Sequence, residues 1–382
     1  MHYLDHAATT PLRPEAREAM VSCLEDFFGN PSSVHAYGRE AREVVEIARE
    51  QVAAALGASP SEIVFTGGGT EADNIALKGV ARKLRGNGRH IVTTAFEHHA
   101  VLDTAEWLHR EGYEVTFVPV PPSGVLDPGA VAGAVRSDTI LVSAMAVNNE
   151  IGTVQPVRAV TAAVKERNRS VLVHTDAVQA LGNIPVDLRE WGVDLASFAA
   201  HKLGGPKGVG ALYVKAGTPV EAIVHGGGQE RNLRSGTLNV AGIAGFGAAA
   251  EVAAREVSDK AERLLKMRTQ LLEGIQASLP DVRVNGDLDA RVAGNLHISI
   301  PGAEGETLLL LLDQEGIACS AGSACQSGAL DPSHVLSAIG VPPEIAKGSV
   351  RFSLGWTSTE ADVDAVIEVL PQAAGIARKA AG

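Results

Sequence analysis

Residues 196–210 read Ala-Ser-Phe-Ala-Ala-His-Lys-Leu-Gly-Gly-Pro-Lys-Gly-Val-Gly. The apolar run 193–198 is typical of a buried strand, and the glycines and the proline after it prevent any regular element from continuing. Lys202 therefore lies in a fixed turn at the end of a strand, which suits a lysine that forms a Schiff base. An ordinary exposed lysine fits the same pattern, and Lys207 is a second candidate in the same turn.

The composition is that of an ordinary globular protein. Of the 382 residues, 45% are hydrophobic and 20% are charged, and the net charge is -12. No long run of lysine and arginine is present, which disfavours nucleic acids and anionic membranes as partners. The start of the chain does not resemble a signal peptide, and the apolar segment 240–254 is too short to span a bilayer. The odd number of cysteines, three, disfavours a disulfide framework, so we expect a cytoplasmic protein.

Short apolar runs alternate with amphipathic segments through most of the chain. The pattern predicts strands at residues 62–66, 90–94, 115–118, 139–147, 171–175 and 296–300. It predicts helices at residues 14–24, 39–56, 70–84, 100–110, 157–167, 258–279 and 306–314. This order indicates an α/β fold with a mostly parallel sheet that helices cover on both faces. Ligands bind outside the carboxyl ends of the strands in such sheets.

Two predicted strand ends carry residues suited to an anionic ligand. The sequence Gly67-Gly68-Gly69-Thr70-Glu71 begins a helix, where free N–H groups can hold a phosphate, although glycine turns without a ligand are common. In Glu97-His98-His99, a histidine can stack on a ring or move a proton. Neighbouring histidines also suggest a metal, but we find no set of ligands at metal-binding spacing and predict no metal site.

Two further strand ends carry an amide and an acid. Asn149 follows the strand 139–147, and its amide needs partners that either a ligand or a turn can supply. Asp176 ends a strongly apolar strand, where it either meets a positive charge or caps a helix. A phosphate site, a ring cover, a hydrogen bond to the ring oxygen, an acid at the ring nitrogen and a Schiff-base lysine are what pyridoxal phosphate requires.

These motifs occur in an order that resembles one family. The chain resembles the cysteine desulfurases of iron–sulfur cluster assembly, and within them the first of two groups. Cysteine desulfurases are class V aminotransferases of PLP fold type I. The resemblance covers nearly the whole chain and rests on residues 3–10, 65–71, 97–98, 147–152, 176–179, 201–202, 234–237, 322–325 and 350–355. It implies an aspartate-aminotransferase-like fold with a seven-stranded, mostly parallel sheet and a smaller α+β domain.

The resemblance assigns roles around the reacting centre. Lys202 would be the Schiff-base lysine, His98 would stack on the pyridine ring, and Asp176 would keep the ring nitrogen protonated. Arg351 would bind the substrate carboxylate, a pairing that suits the guanidinium fork. Two amides would bond the ring-oxygen side of the cofactor and the neighbouring substrate: Asn149 and Gln179.

The resemblance also assigns a phosphate site and a subunit arrangement. Gly69, Thr70 and His201 would bind the phosphate, and Thr237 would reach it from the partner subunit of a homodimer. Family members often have a phosphate-binding serine where this chain has Ala199. We therefore expect phosphate binding with one donor fewer.

The resemblance implies two domains and a catalytic cysteine. The large domain would span residues 14–255, and the small domain would combine 1–13 with 256–382 and carry a cysteine loop at about 317–330. Residues 319–328 are almost all small, which favours an exposed, flexible loop. By its place in the family motif Cys325 would be the nucleophile, whereas Cys319 continues an apolar run and suits a buried, inert thiol.

The implied reaction is the removal of sulfur from L-cysteine, which gives L-alanine and a persulfide on Cys325. Lys202 would remove the Cα proton, and His98 would carry the thiol proton. The sulfur would pass to an acceptor protein, such as an iron–sulfur scaffold, a tRNA thiolation protein or another sulfur relay. A selenocysteine lyase, a plain aminotransferase or β-lyase, and a non-catalytic sulfur-transfer scaffold are the alternatives. Cys325 disfavours the aminotransferase, and the complete set of site residues disfavours the scaffold.

Overall fold

The computed structural model describes residues 1–321 and 333–380. The strands in these ranges are β1 (His2–Tyr3), β2 (Ile63–Thr66), β3 (His90–Thr94), β4 (Glu114–Val118), β5 (Thr139–Ser143), β6 (Leu172–Asp176), β7 (Leu195–Ala199), β8 (Gly210–Val214), β9 (Arg283–Val284), β10 (Asn295–Ser299), β11 (Ile317–Ala318) and β12 (Ser349–Ser353). The helices are α1 (Pro14–Glu25), α2 (Ala36–Ala55), α3 (Gly69–Lys83), α4 (His99–Arg110), α5 (Pro128–Gly133), α6 (Val157–Arg167), α7 (Leu188–Trp191), α8 (Val240–Ser278), α9 (Gly305–Gln314), α10 (His334–Ala338), α11 (Pro343–Ala346) and α12 (Glu360–Ala380).

The largest sheet in the described residues has seven strands in the order β2-β8-β7-β6-β5-β3-β4. Strands β3 to β7 pair in parallel, and β8 is antiparallel to both of its neighbours. Strands β3, β5, β6 and β7 are buried along their whole length, which is the pattern of a sheet covered on both faces. The predicted α/β fold with a mostly parallel seven-stranded sheet is confirmed.

The parallel strands end at one edge of this sheet, and their carboxyl ends lead into the predicted motifs. β5 is shorter than predicted, because it ends at Ser143 instead of continuing to residue 147. The segment after it stays close to β6, since the Ala144 and Ala146 N–H groups donate to the carbonyls of His174 and Asp176, at 3.1 and 2.8 Å. This path carries the asparagine turn to the same edge of the sheet as Asp176.

The long helix α8 begins at Val240, so the helix predicted at residues 258–279 is wrong at its start. A Cβ on Gly245 would lie 2.6 Å from Met20 Cγ in α1, and one on Gly247 would lie 2.7 Å from Ala48 Cα in α2. Glycine and alanine therefore allow α8 to pack closely on both helices. The same glycines and alanines explain why the start of this helix was not predicted, because its buried face has few large apolar side chains to give a helical periodicity.

A second core surrounds the antiparallel sheet β12-β10-β9 and the parallel pair β1-β11. Helix α8 connects the two cores, since Ala249 and Ala253 pack in the core of the large sheet and Leu264 and Leu271 pack in the second core. Three residues from the C-terminal part of the chain pack in the core of the large sheet, although most of their neighbours in sequence belong to the second core: Val335, Leu336 and Ile339. The domain boundaries themselves stay a prediction. None of the helices in the described ranges combines the length and the hydropathy needed to cross a bilayer.

Candidate active site

A cavity of about 300 Å³ lies at the carboxyl edge of the large sheet. Its walls include almost every residue that the sequence predicts for the site: Gly69, Thr70, His98, Asn149, Asp176, Gln179, His201, Lys202 and Arg351. These residues come from the ends of five strands and from β12, which belongs to the second sheet. The cavity is therefore built where the two cores meet.

The start of α3 forms one end of the cavity. A Cβ on Gly69 would lie 2.6 Å from Val178 Cγ2, so glycine is required for this close approach. The backbone N–H groups of the first turn of a helix point outward and favour an anion. His201 lines the same cavity, with Nδ1 at 3.1 Å from Thr9 Oγ1. Burial lowers the pKa of His201 to about 4, so the ring is neutral near pH 7. This end of the cavity suits a phosphate group.

Ala199 also borders the phosphate end. Its Cβ lies 3.6 Å from the position of a Cβ on Gly69, and its side chain is 2% exposed. The methyl group offers no hydrogen bond there. The binding of a phosphate with one donor fewer stays a prediction.

Lys202 is held at the centre of the cavity by backbone carbonyls. Its Nζ donates to the carbonyl oxygens of Ala7 and Ala8, at 2.5 and 2.8 Å. Gln179 Nε2 donates to the same Ala7 oxygen at 2.8 Å. Lys207 is exposed and lies outside this cavity, so the structure favours Lys202 as the reactive lysine of the turn.

Asp176 and His98 both line the cavity. Asp176 is 5% exposed, and its Oδ1 accepts a hydrogen bond from the Val178 N–H at 2.9 Å. Burial raises the pKa of Asp176, whereas the Val178 N–H and the charge of Lys202 lower it, as a protonated His98 would. His98 caps α4, since its Nδ1 accepts from the Ala100 N–H at 3.1 Å, and burial lowers its pKa. The proton of the neutral His98 ring is therefore on Nε2.

Arg351 reaches the cavity from β12. Its guanidinium is 2.8 Å from Asp5 Oδ1 and donates to the Asn149 carbonyl oxygen at 2.7 Å. These two contacts orient the planar group, which suits a bidentate carboxylate ligand. The side-chain oxygen of Asn149 is buried and accepts no hydrogen bond from the described residues.

These observations fit pyridoxal phosphate. Gly69, Thr70 and His201 would hold its phosphate, and Asn149 would offer its buried oxygen to the polar edge of the ring. Asp176 is an acid positioned for the ring nitrogen, and Lys202 is an amine fixed in the same cavity. The donor set thus matches the chemistry of the cofactor.

Comparison with known proteins gives the same result. The family model described as aminotransferase class-V matches residues 2–366. This chain belongs to the class-V aminotransferase family. Members of the family depend on pyridoxal phosphate, and so does this enzyme.

The relatives of this class-V aminotransferase include cysteine desulfurases. It is 50% identical to the cysteine desulfurase IscS of Dictyoglomus turgidum, over 96% of this chain and 93% of the relative. It is 48% identical to an IscS-like cysteine desulfurase of Mycobacterium tuberculosis, over 100% and 98% of the two chains. A solved NifS-like protein has a TM-score of 0.93 and 42% identity, with 98% of this chain and 100% of that chain covered. The structure of SspA in complex with cysteine has a TM-score of 0.82 and 33% identity, with 94% and 100% covered.

Thr237 and the two cysteines complete the comparison of the predicted site of this class-V aminotransferase with the structure. Thr237 is exposed and lies outside the cavity of its own chain, so its proposed contact from a partner subunit stays a prediction. Cys325 lies outside the described residues. Cys319 packs partly buried against the second core, and burial raises the pKa of its thiol to about 12. A thiol in this state is a poor nucleophile.

The sequence analysis gave no role to two buried acids, of which Asp73 lines the cavity and Glu97 binds the backbone of Met145 in its wall. Glu97 has no exposed surface, accepts from Thr94 Oγ1 and the Met145 N–H at 2.6 and 2.9 Å, and has a pKa raised to about 8 by burial. Asp73 is 1% exposed and lines the cavity beside Asp176. The signal for Asp73 was its place within the apolar face of α3, among Ala72, Ala76 and Leu77.

Proposed function

We propose that this chain is a cysteine desulfurase, which removes sulfur from L-cysteine, releases L-alanine and delivers the sulfur through Cys325 to an acceptor protein. The observation that carries the proposal is one cavity lined by Lys202, Asp176, His98 and Arg351. Relatives support the proposal, because about half of the aligned residues are identical to those of proteins named cysteine desulfurase. A related structure that holds cysteine supports cysteine as the substrate.

The residues of the cavity have separate tasks in this reaction. When bound, pyridoxal phosphate supplies an electron sink beside the substrate Cα. Arg351 binds the substrate carboxylate, because its guanidinium is oriented by Asp5 and the Asn149 carbonyl. Lys202 takes the Cα proton and returns it. Asp176 provides the negative charge at the ring nitrogen.

The sulfur step needs a thiolate and a place for the substrate thiol proton. The Cys325 thiolate forms a bond with the substrate sulfur while the substrate C–S bond breaks. The substrate Cβ keeps the bonding electron pair and takes up a proton, and the product leaves as alanine. Cys325 then carries a persulfide, and no external oxidant is used. His98 handles protons at this step through Nε2, because Nδ1 is occupied by the Ala100 N–H.

The assembly belongs to the same proposal. A homodimer would bring Thr237 of the partner subunit to the phosphate, and an iron–sulfur scaffold or a sulfur relay protein would accept the sulfur. The proposed domains are a large one at 14–255 and a small one formed by 1–13 and 256–382. Two separate cores support this division, although residues such as Val335 and Leu336 pack back on the core of the large sheet. The odd number of cysteines supports a location in the reducing cytoplasm.

The test combines alanine release with mass mapping of the persulfide. We expect the wild-type protein to release alanine from L-cysteine and to carry the persulfide on Cys325. The Cys325→Ala variant should keep the cofactor but form no persulfide, and Lys202→Ala should lose the chemistry. Cys319→Ala is the matched control, and it should retain both products. A persulfide on Cys319, or alanine release by the Lys202→Ala variant, would overturn the assignment.

A further inference from the structure

An open recess of about 750 Å³ adjoins the proposed phosphate end of the cavity. Four residues line both the recess and the cavity: Ala8, Gly69, Thr70 and His201. An anion at the start of α3 would therefore face the recess as well as the cavity. Lys207 lines the recess with an exposed side chain, and the proposed function gives it no task.

Close backbone packing holds the turn that carries Lys207 beside the start of α3. Gly210 begins β8 and pairs with Thr66, the last residue of β2. A Cβ on Gly210 would lie 2.7 Å from the Cα of Gly68, which directly precedes α3. Lys207 comes shortly before Gly210 in the chain, so this contact fixes the turn relative to the helix. The flexible four-carbon stem of a lysine lets its ammonium move toward an anion at that helix end.

A phosphate at this end carries more charge than the helix can balance. A phosphate monoester has about 1.5 to 2 negative charges near pH 7, whereas the start of a helix supplies about half a positive charge. His201 adds no charge, because burial lowers its pKa to about 4. Ala199 adds no hydrogen bond. A positively charged side chain in the recess would supply what is missing.

The arginine and the lysine of the cavity wall have other partners. The Arg351 guanidinium contacts Asp5 Oδ1 at 2.8 Å and donates to the Asn149 carbonyl oxygen at 2.7 Å. Lys202 donates to two backbone carbonyls and is the amine proposed to react with the cofactor. Neither side chain is placed to balance the phosphate.

The ammonium of Lys207 is available to an anion. Within residues 1–321 and 333–380, no carboxylate forms an ion pair with Lys207. Glu71 is the acid in the described wall of the recess, and it is already bound. Its Oε1 accepts from Arg234 Nε at 2.6 Å, and its Oε2 accepts from the Gly67 N–H at 2.8 Å.

We propose that Lys207 is a further binding residue for the cofactor: from the recess, its positive charge balances the phosphate at the start of α3 and slows the loss of pyridoxal phosphate. The inference rests on the phosphate site of the proposed function and is independent of the sulfur chemistry. It gives the two lysines of one turn different tasks, since Lys202 is the reactive amine and Lys207 acts by charge alone.

The test measures the rate at which the loaded, full-length protein loses its cofactor after dilution, followed by absorbance. We expect Lys207→Gln to release pyridoxal phosphate roughly three- to tenfold faster than wild type at low salt. Lys207→Glu should release it faster still, and Lys207→Arg should behave like wild type. The differences should shrink at high salt, because salt screens an exposed charge. Lys215→Gln is the matched control, since Lys215 is also exposed but follows the opposite end of β8, and its release rate should not change.

Pyridoxal separates an effect of charge from a structural one, because it has the same ring and aldehyde but no phosphate. Wild type and Lys207→Gln loaded with pyridoxal should lose it at equal rates. Equally faster loss of both cofactors from Lys207→Gln would mean that the substitution disturbs the fold or the assembly, and would overturn the proposal. An unchanged loss of pyridoxal phosphate from Lys207→Glu would overturn it as well.

A variant of Thr70 distinguishes the possible failures. Thr70→Val should also release pyridoxal phosphate faster, because it removes a proposed donor to the phosphate. A change in Thr70→Val without one in Lys207→Glu would refute the task of Lys207 alone, whereas no change in either would refute the phosphate site itself. None of these measurements uses turnover of cysteine, so their outcome is separate from the test of the desulfurase function.

Discussion

At the scale of single residues, the proposed phosphate end of the cavity depends on small differences between side chains: the missing Cβ of Gly69 and the missing hydroxyl of Ala199. Gly69 is required there because a Cβ would contact Val178 Cγ2 at 2.6 Å. Ala199, by contrast, leaves a methyl group where a hydroxyl would face the phosphate. The proposed phosphate site therefore consists of backbone N–H groups, Thr70 and His201.

We predict that Ala199→Ser strengthens retention of pyridoxal phosphate. A hydrogen bond to a charged group contributes about 1.5–3 kcal/mol, so we expect roughly tenfold tighter binding after the cost of ordering the hydroxyl. Dialysis followed by cofactor absorbance measures this directly. Ala196→Ser is the control, because Ala196 is equally buried but lies on the opposite face of β7. Equal retention in the Ala199→Ser and wild-type proteins would show that the hydroxyl does not reach the phosphate.

At the scale of an element, the turn before Thr237 is held in an unfavourable backbone conformation. Three consecutive residues have positive φ values, which residues other than glycine rarely adopt: Glu230 at 44°, Arg231 at 55° and Asn232 at 63°. The Glu230 carboxylate is buried and receives both arms of the Arg49 guanidinium, at 2.7 and 2.9 Å, and the Phe65 N–H at 2.7 Å. This ion pair ties α2 and β2 to the turn.

We predict that Arg49→Met destabilises the protein by about 3–5 kcal/mol, because it leaves Glu230 buried without its cation. Chemical denaturation measures the change. The exposed pair Arg158–Glu190 provides the control, and Arg158→Met should cost less than about 1 kcal/mol. Equal effects of the two substitutions would mean that the buried ion pair does not hold the turn.

At the scale of the whole molecule, the proposed homodimer would bring Thr237 of a partner subunit to the phosphate end of the cavity. Thr237 is exposed and shares a surface recess with Thr66, Gly67 and Gly208, close to the start of α3. An exposed hydroxyl at this position suits a contact with a second copy of the chain. The phosphate site would then be completed only in the homodimer.

Mixed dimers test this arrangement. A dimer of one Thr237→Val chain and one Lys202→Ala chain contains one site with both Lys202 and a partner Thr237, so it should regain activity in that site. A dimer of wild type with a chain that carries both substitutions has Lys202 only where the partner threonine is missing, so its cofactor should dissociate faster. Cofactor release and alanine formation measure the two mixtures. Identical behaviour of the mixtures would show that Thr237 does not act across subunits.

Much of the fold and of the site could be predicted from the sequence, because strands, helices and the turns that follow strands are each defined by a short run of neighbouring residues. Strand β3 and helix α6 have the predicted bounds, since a short buried strand and an amphipathic helix are each defined by neighbouring residues. The residues after the strands were also predictable, because parallel strands bring their carboxyl ends to one edge. This reasoning placed Lys202, His98, Asn149 and Asp176 around one ligand.

The sequence by itself determined the alternation of elements, the edge of the sheet that binds the ligand and the residue types found there. Only the tertiary structure placed Lys202 in the cavity and Lys207 outside it, joined Arg351 to Asp5 and Asn149, and brought Asp73 to His174. It also decided that α8 continues from one core into the other. The physical reason is range: periodicity and turn chemistry act between near neighbours, whereas these contacts join residues from separate elements whose distance depends on how the elements pack.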